Sequence, residues 1–377
     1  MLETDLIAVA PPSLPWFGAG RCPLYLAPMA GFTDGPFRRL CKGQGADVLV
    51  TEFAHAESLL RGHEGVWRDL YFAEMERPLG VQIFGGDPEQ MAAAARLVVA
   101  RLRPDFMDIN FGCPADKVTC RHAGSSLLRD LPLLERIARA VAEAAPETPV
   151  TAKIRLGWDA QSIVALEAAR RLEDAGMRAL AVHGRTKEQG YSGGADWETI
   201  AAVAEAVTMP VVGNGSVDSP AMAVKLRRET KVAGLMIGRA ALGYPWIFRE
   251  IKAALAGAAA PGAPTLAERW EAIFRYLDER LELEGKGPDS GNLGGMRAAL
   301  KSLAKGMPDG AMLRGAIERA ANRAELEAIA AGHQEKWEKI FRQNLQNEKN
   351  QGGKFSDGMN RMRRTRMGLK RRAWAMR

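Results

Sequence analysis

Phe106-Met107-Asp108-Ile109-Asn110-Phe111-Gly112-Cys113-Pro114 is the stretch from which the fold can be read. Its apolar and aromatic residues favour a short strand, and Gly-Cys-Pro stops the pairing. Asp108 and Asn110 alternate with Met107, Ile109 and Phe111, so two polar groups share one face of that strand. The turn then presents one thiol, Cys113. A free cysteine is most often a small buried hydrophobe. Here the ends of seven other strand-like runs also carry polar or glycine-rich residues, which points to a site.

Working outward, β-rich runs alternate with Ala/Leu/Arg-rich helical stretches, the pattern of βα units and a parallel sheet. Strands are expected at 22–29, 47–53, 78–84, 106–111, 149–156, 179–184, 210–215 and 234–238. Asp87, Asp130 and Asp218-Ser219-Pro220 stand where intervening helices would be capped. Eight such units predict an α/β fold, a (β/α)8 TIM barrel over 22–255, preceded by an irregular arm at 1–21. The Ala/Gly/Pro run 256–264 reads as a linker. Residues 265–332 read as a small all-helical domain, and 333–377 as a basic, flexible tail whose end, 361–377, is expected to be disordered when alone.

Composition narrows the class. No run approaches the roughly 20 apolar residues of a membrane span. The acidic, proline-interrupted N-terminus does not read as a secretory signal. Four cysteines without a C-x-x-C pair make no disulfide framework, and five scattered histidines make no metal site. A cytoplasmic monomer without membrane or metal is expected. The net charge of +7 is uneven: residues 333–377 hold 13 Lys/Arg against 4 Asp/Glu, which leaves −2 for the remainder. Polyanion binding therefore cannot be assigned to the main body on charge alone.

In such barrels chemistry sits at the C-terminal strand ends. These carry the apolar turn Pro28-Met29-Ala30, then Gln82, Asn110 with Cys113, Lys153, His183 with Arg185, Asn214-Gly215-Ser216, and Gly238-Arg239. Glycine turns after the seventh and eighth strands, with Arg239 as a charged fork, suit a phosphate. An ammonium in an apolar strand is expensive to bury unpaired. Lys153 is therefore read either as an ion pair, with Glu52 the candidate partner, or as a cation for negative charge on a ligand. A reduced flavin carries such charge. Gln82 could bond its polar rim, and the Pro28-Met29 turn could lie against its ring. Together these suggest FMN; no G-x-G-x-x-G follows a strand, which argues against a Rossmann dinucleotide site. His183 could equally be a satisfied core histidine.

Ala27-Pro28-Met29-Ala30-Gly31-Phe32-Thr33-Asp34, Asn110-Phe111-Gly112-Cys113-Pro114, Lys153-Ile154-Arg155, His183-Gly184-Arg185-Thr186, Gly213-Asn214-Gly215, Ile237-Gly238-Arg239-Ala240 and Pro245-Trp246-Ile247-Phe248 occur in this order. As a set they resemble the tRNA-dihydrouridine synthases, in particular the bacterial B-type enzymes, over roughly residues 22–330. The resemblance implies a flavin-binding TIM barrel followed by a helical tRNA-binding domain. It implies reduction of the C5–C6 double bond of uridine in tRNA, with FMN as cofactor and NADPH as electron source. Cys113 matches the catalytic acid that would protonate C5 while the flavin delivers hydride to C6. Asn110 matches a position near uracil and flavin. Pro28, Met29, Ala30, Gln82, Lys153, His183, Asn214, Gly215, Ser216, Gly238 and Arg239 match FMN contacts. Arg121 and Arg185 are expected at the substrate.

This chain departs from the family pattern at Phe111, where methionine is usual, at Ser216, where aspartate is usual, and at Cys120-Arg121, where Asn-Arg is usual. The tail from 333 onward has no counterpart. Within 265–332, Arg297, Lys301 and Lys305 are spaced i, i+4, i+8 opposite Leu300, Leu303 and Ala304, a stripe expected to meet tRNA phosphates unless it is an ordinary solvated face. Two rivals are a dihydroorotate dehydrogenase-like FMN barrel acting on a free pyrimidine, and a non-redox RNA-binding protein on a degenerate barrel.

Overall fold

The computed structural model describes residues 13–18, 20–287 and 293–350, with side chains described as far as 344. Most of the expected arm and the basic run 361–377 lie outside the described residues.

Nine short strands, all parallel, form one sheet: β1 Leu24–Leu26, β2 Leu49–Val50, β3 Ala54–His55, β4 Leu79–Phe84, β5 Phe106–Phe111, β6 Val150–Arg155, β7 Leu180–His183, β8 Val211–Asn214 and β9 Gly234–Ile237. β2 and β3 both pair with β4 and share one position, so the barrel has eight. The order β2-β4-β5-β6-β7-β8-β9-β1 closes where Tyr25 bridges Val48. This is the expected TIM barrel. The run read as one strand, 47–53, is split. Thr51 Oγ1 accepts the Gln82 amide at 3.1 Å, so a hydroxyl stands where a backbone carbonyl would continue the ladder. Helices Pro88–Leu102 and Leu131–Ala144 begin as read, with Asp87 and Asp130 accepting the amides of Gln90 and Leu133 and a proline in the first turn.

Alternation on the strands sorts the barrel interior. Register places Gln82 beside Asp108, Asn110 beside Lys153, Arg155 beside His183, and His183 beside Asn214, all towards the C-terminal strand ends. The other end is apolar. Tyr25, Ala27, Val48, Val50, Phe106, Ala181, Val212 and Met236 form one cluster, against which Leu14, Trp16 and Phe17 pack. Trp16 Nε1 donates to the Tyr25 hydroxyl at 2.5 Å, and its ring lies 5.5 Å from that of Phe106. The described end of the arm is thus a stopper for the barrel.

The chain divides into two compact units, Met1–Arg38 with Ala46–Gly238, and Arg39–Gly45 with Arg239–Arg377. The division falls at Gly238, before the linker at 256–264. Apart from Arg39–Gly45, the second unit contains helices Arg239–Gly243, Ile247–Leu255, Leu266–Leu283, Arg297–Leu303, Gly310–Arg319 and Arg323–Asn350. Thr265 and Glu268 form a capping box at the start of Leu266–Leu283. The buried Arg269 donates to the carbonyls of Gly243, Leu303 and Lys305 at 3.2, 3.2 and 2.6 Å, tying three segments together. The last helix runs through the boundary expected at 332/333. His333 is buried there, accepts Trp270 Nε1 at 3.2 Å through Nδ1, and meets the Pro308 carbonyl at 2.9 Å through Nε2. The residues read as the start of a tail therefore complete the helical core. Among the described residues no helix is long and apolar enough to cross a membrane.

Gly80 makes room for the stopper. A Cβ there would lie 2.2 Å from the Phe106 ring. Gly80→Ala is expected to cost about 1–3 kcal/mol, read as a lowered urea midpoint, and Gly80→Ala/Phe106→Leu to regain much of it. An unchanged midpoint in the single variant would show that the ring can move aside.

Candidate active site

The inward face of β5 seeds the site. Asp108 Oδ2 accepts from Gln82 Nε2, and its Oδ1 accepts from the Thr151 hydroxyl, both at 2.5 Å. Gln82 Oε1 accepts from Asn110 Nδ2 at 2.8 Å. Asn110 Oδ1 in turn accepts the amides of Gly112 and Cys113 at 3.0 and 2.8 Å. Gln82 is fully buried with both ends of its amide engaged, so any ligand contact falls to its remaining Nε2 hydrogen or the second lone pair of Oε1.

The Cys113 turn is held from three further directions. Ser125 donates both its amide and its hydroxyl to the Cys113 carbonyl, at 3.1 and 2.9 Å. Arg155 Nε donates to the Gly112 carbonyl at 2.9 Å. Gly124 adopts φ +62°, and a Cβ there would lie 2.9 Å from the Cys113 carbonyl oxygen, so the backbone closes only around glycine. The half-buried Cys113 packs with Phe53, Phe84, Ala115, Val118 and Ala123. Burial pushes its thiol above the ordinary 9.0, opposed by the Ala115 amide and the charges of Arg155, Lys117 and Lys153. The thiol therefore keeps its proton at neutral pH, the state a general acid requires.

Lys153 lies next to Asn110 in register. Burial first, and then the neighbouring Arg155, push its ammonium down to about 8, while Asp108 and Cys113 oppose the shift. Glu52 does not pair with it; that carboxylate accepts the Gly31 amide at 2.7 Å, and burial pushes its own pKa up. Burial likewise raises Asp108, against its bonds from Thr151 and Gln82. The site thus contains a cation held by no neighbouring carboxylate among the described residues.

Arg185, expected at the substrate, has an internal role instead. It is 2% exposed and donates to the Ser192 and Gly193 carbonyls, to Ser216 Oγ and to His183 Nε2. Since arginine only donates, His183 accepts through Nε2. This guanidinium braces the turn after β8, in which Gly215 and Ser216 both have positive φ, +120° and +55°. Such a turn can face successive amides to one anion. Asn214 is anchored by Nδ2 to the Met236 carbonyl at 2.8 Å. A Cβ on Gly238 would lie 3.6 Å from both Ala27 and Met29 Sδ, so that strand end meets the half-buried Pro28-Met29 turn, while Ala30 is exposed. Arg239 follows Gly238 directly and opens the helix Arg239–Gly243. An unpaired cation, an anion-ready turn and an apolar wall fit a flat, anionic, phosphate-bearing cofactor.

Arg121 is exposed on the loop after Cys113. In the helical unit, Arg297 is only half exposed and donates to the Ala320 carbonyl at 2.8 Å, capping a helix rather than facing solvent. Lys301 pairs with Glu318, and Lys305 is exposed. The expected stripe is therefore reduced to its second and third members. Sequence reasoning assigned no role to Thr151, Arg155 or Ser125. The first two sit two residues either side of Lys153 and so share its face; Ser125 carried no signal.

A parallel barrel whose C-terminal mouth joins a half-buried ammonium to a protonated thiol defines an enzyme site of the (β/α)8 class. A model of the dihydrouridine synthase (Dus) family matches residues 25–343, and the chain belongs to that family. It is 46% identical to tRNA-dihydrouridine synthase B of Pseudomonas aeruginosa over 257 residues, 68% of this chain and 76% of that protein. The counterpart from Xanthomonas campestris is 42% identical over 298 residues, 78% and 87% of the two chains. That from Pseudomonas syringae is 48% identical over 230 residues, 61% and 67%.

A lysine depressed by burial destabilises the fold while it is charged, and the cost disappears as pH rises through about 8 towards 10.5. Lys153→Met is expected to stabilise the ligand-free protein at pH 7 by about 3 kcal/mol. The difference from wild type should shrink between pH 8 and 10, where the native lysine sheds its proton. Denaturant midpoints against pH measure this, and a pH-independent difference would contradict it.

Proposed function

We propose that this protein reduces the C5–C6 double bond of specific uridines in tRNA to dihydrouridine, with FMN as cofactor and NADPH as electron donor. The observation that carries the reading is the Cys113 thiol, kept protonated by burial and fixed by Asn110, Ser125 and Arg155 beside an unpaired Lys153. Membership of the dihydrouridine synthase family supports it.

Pro28, Met29, Ala30, Gln82, Lys153, His183, Asn214, Gly215, Ser216, Gly238 and Arg239 are assigned to FMN. When bound, the flavin supplies the hydride. The Lys153 ammonium stabilises negative charge in the mouth, which is worth more there than in water. Cys113 donates its proton to C5 of the uracil. Asn110 acts by holding the cysteine turn, since its Oδ1 is committed to two backbone amides. Arg121, Lys301 and Lys305 are assigned to tRNA phosphates, which position the substrate without reading its sequence. The protein is assigned as a cytoplasmic monomer.

Two measurements test the assignment. Heat-denatured protein should release FMN; release of FAD, or of no flavin, would sink it. Dihydrouridine should appear in tRNA from a strain lacking the modification, and not in free uracil or orotate supplied at equal concentration; preferential reduction of the free pyrimidine would overturn the tRNA assignment. Cys113→Ala is expected to lower tRNA reduction by about 10²–10⁴-fold while NADPH still bleaches the flavin. Near wild-type turnover would reduce Cys113 to a structural residue.

A further inference from the structure

The hydrogen bonds between Asp108 and the Cys113 turn run in one direction, and the chemistry of their ends permits no other. The amides of Gly112 and Cys113 can only donate, so Asn110 must turn Oδ1 towards them and Nδ2 towards Gln82. Gln82 must then receive through Oε1 and donate through Nε2, and the Asp108 carboxylate accepts that hydrogen bond. Asp108 also accepts the Thr151 hydroxyl through its other oxygen. Turning either amide round would set like groups against each other where Gln82, Asp108 and Asn110 are 0%, 4% and 6% exposed.

We propose that Asp108 is a positioning residue that, from the far end of the chain, locks the sense of the Gln82 and Asn110 amides set by the Gly112 and Cys113 backbone and so holds the place of the Cys113 thiol. This rests on the reading of Cys113 as proton donor. Asp108 acts three bonds away from the turn and at the closed side of the site. The chain spans β4 and β5 and a sequence separation of 26 residues between Gln82 and Asp108, so the barrel register creates it.

A directional chain can be reversed, and the reversal is the test. Asn110→Asp keeps one oxygen for the two amides but sets the other against Gln82 Oε1. Gln82 must turn, and its oxygen then faces the Asp108 carboxylate. Adding Asp108→Asn supplies an N–H at that far end, so every group is matched again with the amide of Gln82 reversed, and Thr151 still donates to the remaining oxygen. Full-length, flavin-loaded variants are compared by single-turnover reduction of tRNA uridine and by the rate at which iodoacetamide labels Cys113, read by mass spectrometry.

Asn110→Asp is expected to slow uridine reduction by about 10–100-fold and to change the labelling rate. The double variant is expected to recover most of both. A double variant no better than Asn110→Asp, or worse by the product of the two single effects, overturns the proposal. Should the double variant fail to fold, Asp108→Asn and Asp108→Leu decide. The first keeps an acceptor for Gln82 and should label Cys113 at nearly the wild-type rate. The second removes it and should not; equal labelling in the two would overturn the proposal. If the wild type reduces no uridine in tRNA, the functional reading falls, while the labelling comparison still decides whether the chain of amides positions Cys113.

Discussion

The guanidinium of Arg155 is the group on which the mouth of the barrel depends. It is 2% exposed, and besides the Gly112 carbonyl it binds those of Thr186 and Gly190 at 2.8 and 2.9 Å. The turn after β5, the end of β6 and the loop after β7 therefore share one cation. A buried carbonyl left without a donor costs about 1–3 kcal/mol, so losing this side chain would strip the donor from three carbonyls and release two loops at once. Its charge has a second effect, because Lys153 lies two residues away on the same face and is made less basic by it.

Burial acts in opposite senses on the two groups that matter most. It keeps the proton on the sulfur of Cys113 and loosens the proton on the nitrogen of Lys153. Both shifts favour the neutral form, as expected of groups withdrawn from water. The mouth is therefore prepared for negative charge brought by a ligand, which would hold the ammonium in its charged state. Asp108, which makes no ion pair with Lys153, still acts in the same direction through its charge from the closed side.

Much of this could be read in the chain, and the rest could not for definite reasons. The alternation in Phe106–Phe111 gave the polar face of β5, and capping residues placed helix starts at Pro88 and Leu131. Periodicity says which face a residue occupies but not which residue of another strand stands opposite, so the partnership of Asp108 with Gln82 depended on register. The break between β2 and β3 was hidden because a threonine hydroxyl replaces a backbone carbonyl. Arg185 and Arg297 read as substrate contacts because charge is visible in sequence while its internal partners are not; both bind backbone carbonyls. The boundary at 332/333 followed a change in composition, whereas His333 belongs to the core through its bond with Trp270.

The stopper formed by Leu14, Trp16 and Phe17 has a kinetic consequence. A barrel sealed at one end has a single doorway. Anything that reacts in its mouth enters and leaves by the same opening. Traffic through the site is thereby confined to the side on which the polar strand ends lie.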